Sequence, residues 1–267
     1  SIDVDNPYKA IENDGTDGNL NATTKEYRQA NYRYGKGRAT TDVIGGRIHN
    51  IYGGSNTKGN ISTLALSIYE TSAECTLTID DSYGAGKDAL IDGEARISLE
   101  CVDYMANLYG GSTNSDVNSD VTLTVTNGVF GRVFGGNNTS GNIRGSITVN
   151  IKESGCKPIV IDELYAGGYL ANYSIYGYYN AGTTQAPDWK PRTKIQFEEA
   201  RDEALDELGE NPTEQQKTDK LIEKGLYGFP KADPRINVIS ATKIGEIYGG
   251  GYRATVVGNP YINVNME

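Results

Sequence analysis

Two pairs of adjacent acidic residues are the side chains of this chain best suited to acid–base chemistry: Asp80–Asp81 and Asp162–Glu163. Two carboxylates held about 5–9 Å apart can cleave a glycosidic bond as acid and base, and carboxylate oxygens are also ligands that calcium prefers. The chain contains a single histidine, His49, which argues against the many catalytic and metal sites built on imidazole. The acidic pairs leave three interpretations open: polysaccharide cleavage, calcium binding and a solvated surface.

Aromatic residues concentrate in one stretch of the sequence and form a candidate ligand-binding surface. Rings flanked by Asn and Asp are typical of sugar-binding surfaces, because the apolar faces of sugars stack on them. The alternative is structural, with the same rings packing as a ladder under the segment that follows. The candidate residues are Tyr169, Tyr173, Tyr176, Tyr178, Tyr179 and Trp189.

Two of the three cysteines, Cys75 and Cys101, occupy equivalent positions, each eight residues before an aromatic residue (Tyr83 and Tyr109). If equivalent positions stack on neighbouring strands about 4.8 Å apart, the two Cα atoms fall in the range that a disulfide tolerates. A disulfide and a pair of buried thiols both fit this placement. No CxxC pair or His/Cys cluster predicts a zinc site.

These candidate sites depend on a repeat that recurs along most of the chain. Each copy is an apolar residue, an aromatic residue and a small-residue pair, usually Gly–Gly. Consecutive aromatic residues are 25 to 31 residues apart between Tyr52 and Tyr165, and the next step, to Tyr248, contains an insertion. Such an interval is typical of repeat architectures. The motif residues are Tyr52, Gly53, Gly54, Tyr109, Gly110, Gly111, Phe134, Gly135, Gly136, Tyr165, Gly167, Tyr248, Gly249 and Gly250, with a degenerate copy at Tyr83 and Gly84.

Strict alternation of apolar and polar residues follows most of the glycine pairs, as at Ile147, Val149 and Ile151. Period-two alternation rich in Val, Ile and Thr predicts strands, and no helical pattern separates the strands of one repeat. We therefore predict an all-β fold, a right-handed parallel β-helix, whose handedness rests on the general preference of parallel crossovers. A β-sandwich built from repetitive hairpins is the alternative.

In a β-helix, equivalent residues of successive turns lie directly above one another. The apolar residue of the motif is then expected to face the core and the aromatic residue to stack on its counterparts. The glycines are expected at the corner, where either a positive φ or close backbone approach excludes a Cβ atom.

The repeat also predicts the organisation of the chain. Residues 1–41 are expected to form an irregular leader or cap, residues 42–177 the repeated turns, and residues 235–267 the final turn or turns. Residues 178–234 interrupt the rhythm with a loop and two helical patterns, the first ending at Gly209 and the second starting at Pro212. This helical hairpin is expected either to carry function or to act as a lid over one flank.

Composition restricts the partners. The net charge of −10 and the absence of a basic stripe argue against nucleic-acid binding. No apolar run approaches the roughly 20 residues that span a bilayer. Because the sequence begins at Ser1 without Met, we expect a processed product.

The segments VFGRVFGGNNTSGNIRGSITVNI and EIYGGGYRATVVGNPYINVNM resemble the Gly–Gly-rich parallel β-helix repeats of large cell-surface and adhesin-like proteins of Bacteroidetes-type bacteria. The resemblance covers most of residues 42–177 and 235–267, implies a secreted or cell-surface setting, and carries over no catalytic residue.

The expected function is a non-enzymatic surface module that binds glycan or protein or acts as a stiff stalk, with no cofactor unless calcium occupies an acidic cluster. Its expected partners are a glycan or surface protein, and further β-helix turns of a longer chain or a stacked subunit. The alternatives are a β-helix polysaccharide lyase or glycoside hydrolase, and a fibre subunit that stacks end to end.

Overall fold

The computed structural model describes residues 37–57, 61–69, 76–155, 157–226 and 228–265. Within these residues the protein is mostly β, with two α-helices. The strands form two large sheets in which every pair is parallel, and two small two-stranded sheets.

Sheet A is the larger of the two parallel sheets. It contains seven strands in an order that follows the chain, so each strand pairs with the ones before and after it in the sheet. Its strands are β1 (Gly37–Val43), β3 (Ile61–Tyr69), β5 (Ile91–Glu100), β7 (Val121–Val125), β9 (Ile147–Lys152), β14 (Arg235–Ser240) and β17 (Tyr261–Val264).

Sheet B contains six strands and follows the same rule. Its strands are β2 (Gly46–Tyr52), β4 (Leu77–Tyr83), β6 (Val102–Tyr109), β8 (Gly128–Phe134), β10 (Ile159–Tyr165) and β15 (Lys243–Tyr248). From β1 to β10 the chain therefore alternates between the sheets, placing one strand in sheet A and the next in sheet B.

The core lies between the two sheets because alternate side chains of their inner strands point inward. In β7 the sequence VTLTV buries Val121, Leu123 and Val125 and leaves the two threonines partly exposed. The β-branched residues at these positions suit a half-buried pleated surface. The same alternation recurs in β9, where Ile147, Val149 and Ile151 are buried.

A third line of contacts joins the corners that lead from sheet B back to sheet A. Val117 forms isolated parallel bridges with Ile91 on one side and with Ile143 on the other. Further along, β11 (Tyr173–Ser174) pairs in parallel with β16 (Val256–Val257). Each corner is thereby held to the corner before it by backbone hydrogen bonds.

The glycine pairs of the motif are explained by close backbone approach. A Cβ atom on Gly110 would lie 2.4 Å from the carbonyl oxygen of Gly135, and one on Gly135 would lie 2.5 Å from that of Ala166. Neither glycine has a positive φ. Of the two reasons that the sequence left open, contact with the next strand is therefore the one that applies at these positions.

The inserted segment contains an antiparallel hairpin and two helices. The stretch expected to be a loop forms β12 (Tyr178–Asn180) and β13 (Trp189–Pro191), which pair with each other. These short strands carry the chain out of the sheets and back, and they place Trp189 opposite Asn180.

The helices are α1 (Lys194–Asp206) and α2 (Glu214–Glu223). Each begins with a capping box, in which a threonine side chain and a glutamine three residues later satisfy each other's backbone N–H groups; the threonines are Thr193 and Thr213. The second helix therefore starts after Thr213 rather than at Pro212. Phe197 and Ala204 of α1 pack with Leu226 in a small separate core.

The described strands also bear on the predicted boundaries. Strand β1 begins at Gly37, inside the segment expected to be an irregular leader, and the rest of that leader lies outside the described residues. No helix in the described ranges has the length and apolar character needed to cross a membrane.

Candidate functional site

The aromatic residues of the repeat form one continuous stack that runs across sheet B, along the C-terminal ends of its strands. Neighbouring ring centroids are 4.7–5.0 Å apart, and the ring planes lie within 11° of parallel. The spacing equals that of the strands, since the rings lie at paired positions of the register. The stacked rings are, in order, Tyr52, Tyr83, Tyr109, Phe134, Tyr165 and Tyr248.

Burial makes this stack a structural element rather than a ligand platform. The four inner rings are at most 4% exposed, whereas the last ring, Tyr248, is 41% exposed. Burial also raises the pKa of Tyr109 and that of Tyr165. The contact between Tyr165 and Glu163 raises the pKa of Tyr165 further, but by less than burial does. The inner phenols therefore stay neutral at physiological pH.

Two of the predicted ligand-binding tyrosines lie in the core. Tyr173 and Tyr178 are only 2% and 5% exposed, so the expectation of an exposed surface does not hold for them. The Tyr173 hydroxyl donates to the carbonyl oxygen of Gly145 over 2.9 Å, and that of Tyr178 to the carbonyl of Ile143 over 3.3 Å. Both hydroxyls therefore bind corner segments that precede them in the chain, and of the two, Tyr178 also reaches the lining of a surface cleft.

Two further predicted residues pack against neighbouring structure. Tyr169 stacks on Tyr252 at 4.9 Å and meets the edge of Phe134, beside the main stack. Tyr176 packs against Phe197 of α1. The structural alternative, aromatic residues packing beneath the insertion, therefore describes Tyr176.

Trp189 is the predicted residue that the structure leaves open. Its side chain is 46% exposed, while Tyr179 beside it in the hairpin is half-buried. The hairpin tip is fixed by Asn180, whose Oδ1 accepts hydrogen bonds from the backbone N–H groups of Gly182 and Asp188 at 3.0 and 2.8 Å. This local bonding sets the position of Trp189 in the strand that follows.

Trp189 forms one wall of an open cleft of about 400 Å³, which we call the Trp189 cleft. The cleft lies between the hairpin and the corner segments that follow β6, β8 and β10. Apolar surface comes from Trp189, Pro187 and Leu170, and the remaining lining is predominantly polar. The polar lining residues are Asn114, Asp116, Thr139, Ser140, Asn142, Asn172, Tyr178 and Asp188.

Hydrogen bonds between successive turns hold the polar lining in place. The Asn114 amide donates to Asp88 at 2.8 Å, and the backbone N–H of Asn142 donates to Asp116 at 2.8 Å. Asn172 accepts from the backbone N–H of Thr255 at 2.8 Å. Because each corner is bonded to the next, the lining is rigid before any ligand arrives.

Arg144 connects the floor of the cleft to its wall. Its guanidinium group contacts Asp116 at 3.3 Å and lies 5.7 Å from the centroid of the Trp189 ring. A cation at that distance attracts the ring's π-face and helps to orient it. The other basic residue near the cleft, Lys190, pairs with Asp188 at 3.0 Å, so both cations have carboxylate partners.

The acidic pairs do not come together as an acid–base site. Asp80 pairs with His49, and Asp81 accepts a hydrogen bond from the Asn107 amide at 2.7 Å. Asp162 occupies the position equivalent to Asp80, but strands β6 and β8 lie between their two strands. Among the described residues, no three His, Cys, Asp or Glu side chains gather at one point.

Cys101 is disulfide-bonded. Its backbone has a positive φ of 58°, at the junction between β5 and β6. The partner predicted for it, Cys75, lies outside the described residues.

No protein-family model, curated protein or solved structure matches this chain. Sequence reasoning found Trp189 but missed Asn114, Asp116 and Asn142. In the sequence, these residues belong to the polar stretches that follow the glycine pairs. Such a stretch indicates a corner, but it does not indicate that three corners line the same cleft.

Proposed function

We propose that the chain is a right-handed parallel β-helix with a helical hairpin inserted before its last turns. The alternation of strands between two all-parallel sheets supports this architecture, as do the bridges that join the corners. Right-handed crossovers are the strong general preference for parallel strands.

We further propose that this β-helix is a non-enzymatic glycan-binding module of a secreted or cell-surface protein. The observation that carries the proposal is the Trp189 cleft: one exposed indole beside a rigid floor of amide and hydroxyl groups. Sugars bind such sites because a ring face stacks on the aromatic residue while their hydroxyls exchange hydrogen bonds with the polar groups.

The charges of the cleft favour a neutral glycan. Arg144 and Lys190 are both paired with carboxylates inside or beside the cleft, and the whole chain carries a net charge of −10. An acidic polysaccharide would be repelled by this negative charge, and no unpaired cation among these lining residues would attract it. Neutral sugars avoid this cost and can still use the amides of Asn114 and Asn172.

The disulfide at Cys101 supports the proposed location, because disulfides persist in oxidising compartments such as the cell surface. The partner we propose is therefore an extracellular neutral glycan, with calcium at an acidic cluster left as a prediction.

The test is a screen of neutral and acidic oligosaccharides, followed by calorimetric titration of the best ligand. Trp189→Ala should weaken binding about tenfold or more, since an aromatic stacking contact contributes roughly 1 kcal/mol beyond its buried area. The matched control is Tyr261→Ala, an exposed aromatic residue on β17, which should bind as the wild type does. Equal loss in both variants, or turnover of a polysaccharide, would contradict the proposal.

A further inference from the structure

A second cleft, which we call the Lys231 cleft, lies between the inserted segment and the corners of the sheets. It has two adjoining parts of about 290 and 340 Å³, and Arg144 and Lys231 line both of them. The end of α2 and the segment after it form one wall, which includes Ile222 and Lys231. The floor is made by corner residues, among them Asn118, Asp120 and Arg144.

The Lys231 cleft and the Trp189 cleft lie on the same two corner segments, which are joined by the isolated bridge at Val117. On the first segment, Asp116 lines the Trp189 cleft and Asn118 lines the Lys231 cleft. On the second segment, Asn142 and Arg144 are divided between the clefts in the same way. Two residues of extended chain span about 7 Å, so neighbouring units of one linear ligand can reach both floors.

Arg144 lies at the boundary between the two clefts. Its guanidinium group contacts Asp116 at 3.3 Å and lies 5.7 Å from the centroid of the Trp189 ring, while the same side chain lines the Lys231 cleft. A guanidinium group carries five N–H donors, more than its contact with one carboxylate uses. The boundary is therefore a side chain that can itself donate to a ligand passing from one cleft to the other.

Lys231 gives the second cleft a cationic donor. Its ammonium group has no carboxylate partner in the described part of the chain and lies 5.2 Å from the centroid of the Phe229 ring. The backbone N–H of Lys231 donates to the carbonyl of Ile175 at 2.7 Å, which fixes the residue beside the cleft. Asp120 adds an acceptor, held by the backbone N–H of Ser146 at 2.7 Å. Sugar hydroxyls both donate and accept, so this mixture of polar groups suits them.

On the basis of the glycan binding proposed above, we propose that the Lys231 cleft is a second sugar subsite. The ligand is then a linear chain of several neutral sugar units bound across Arg144, rather than a single sugar. One unit stacks on Trp189, and a later unit accepts a hydrogen bond from Lys231. Two adjoining subsites raise the affinity for a chain, because the second contact forms within a complex that already exists.

The test uses linear oligosaccharides of glucose, mannose, xylose or N-acetylglucosamine, one to six units long, with NMR titration for single sugars and calorimetry for longer chains. In the series that binds best, the affinity should rise at least about tenfold from one unit to four. Lys231→Met should weaken hexasaccharide binding about tenfold and leave single-sugar binding unchanged. Trp189→Ala should weaken both.

The matched control is Lys243→Met, which removes an exposed lysine of β15 and should bind every ligand as the wild type does. Circular dichroism should show that Lys231→Met folds normally, since its ammonium group has no carboxylate partner among the described residues.

Two results would overturn the second subsite and leave glycan binding at Trp189 standing. One is an affinity that does not rise with chain length. The other is a Lys231→Met variant that binds hexasaccharides like the wild type, or that loses as much affinity for single sugars as for hexasaccharides. If no series binds, or if Trp189→Ala binds every ligand normally, both proposals are wrong.

Discussion

The two glycines at the same motif position, Gly136 and Gly250, allow a matched test of the stacking geometry. Gly136 lies against the neighbouring corner segment, with the backbone nitrogen and Cα of Gly168 at 2.7 and 3.0 Å from an added Cβ. Gly250 has open space at the same place. Neither glycine has a positive φ, so the two alanine variants differ only in the atoms that the added methyl group meets.

The expected cost at Gly136 follows from the atoms that must move. They belong to the backbone of a neighbouring corner segment, which is itself bonded to a further one. The N–H of Gly136 donates to the carbonyl of Gly167, and the N–H of Gly167 donates to that of Gly250. Overpacking against such a rigid neighbour costs about 1–3 kcal/mol. At Gly250, alanine should be neutral or stabilise by up to about 1 kcal/mol through the unfolded chain.

Thermal unfolding followed by circular dichroism measures the difference. For a chain of this size about 2–4 °C correspond to 1 kcal/mol, so Gly136→Ala should melt roughly 6 °C below Gly250→Ala. Hydrogen exchange should locate the loss of protection in the corner that contains Gly168. Equal melting temperatures for the two variants would refute the view that close approach between turns selects the glycines.

Three further predictions follow from groups whose state the structure fixes. Burial raises the pKa of Tyr109 and Tyr173 above the ordinary value near 10, so their contribution to stability is complete below pH 10 and is lost as the pH rises further. Urea midpoints should stay level up to pH 10 and fall above it, with delayed absorbance changes at 295 nm, and midpoints that stay level above pH 10 would contradict this prediction. Hydrogen bonds from Lys157 and the backbone N–H of Leu77 lower the pKa of Asp103, so its contribution is present at neutral pH and is lost as the pH falls through the acid range; Asp103→Asn should flatten the decline in urea midpoint below pH 4, and an unchanged decline would count against this role. Because Cys101 is bonded and the chain has three cysteines, mass spectrometry of the alkylated, unreduced protein should find one modified thiol rather than three.

Much of the fold could be predicted from the sequence because its determinants are local or periodic. Alternation in segments such as VTLTV specifies strands with one inward face. Repetition of the motif, with one insertion before Tyr248, specifies which residues stack, since each strand of sheet B pairs in register with its neighbour in the sheet. The apolar spacing likewise predicted helix α1. Helix α2 was predicted to start at Pro212, but it starts after its capping residue, Thr213.

The site was decided by tertiary structure. Sequence spacing cannot tell whether a tyrosine near a corner faces solvent or the previous turn, and Tyr173 and Tyr178 proved to bond to corner carbonyls in the core. The Trp189 cleft joins a hairpin to Asn114 and Asn142, which are far apart along the chain and meet only because successive corners stack. Periodicity therefore determined which strands pair in the two parallel sheets, whereas the ligand-accessible surface depended on where one non-repeating insertion folds back onto them.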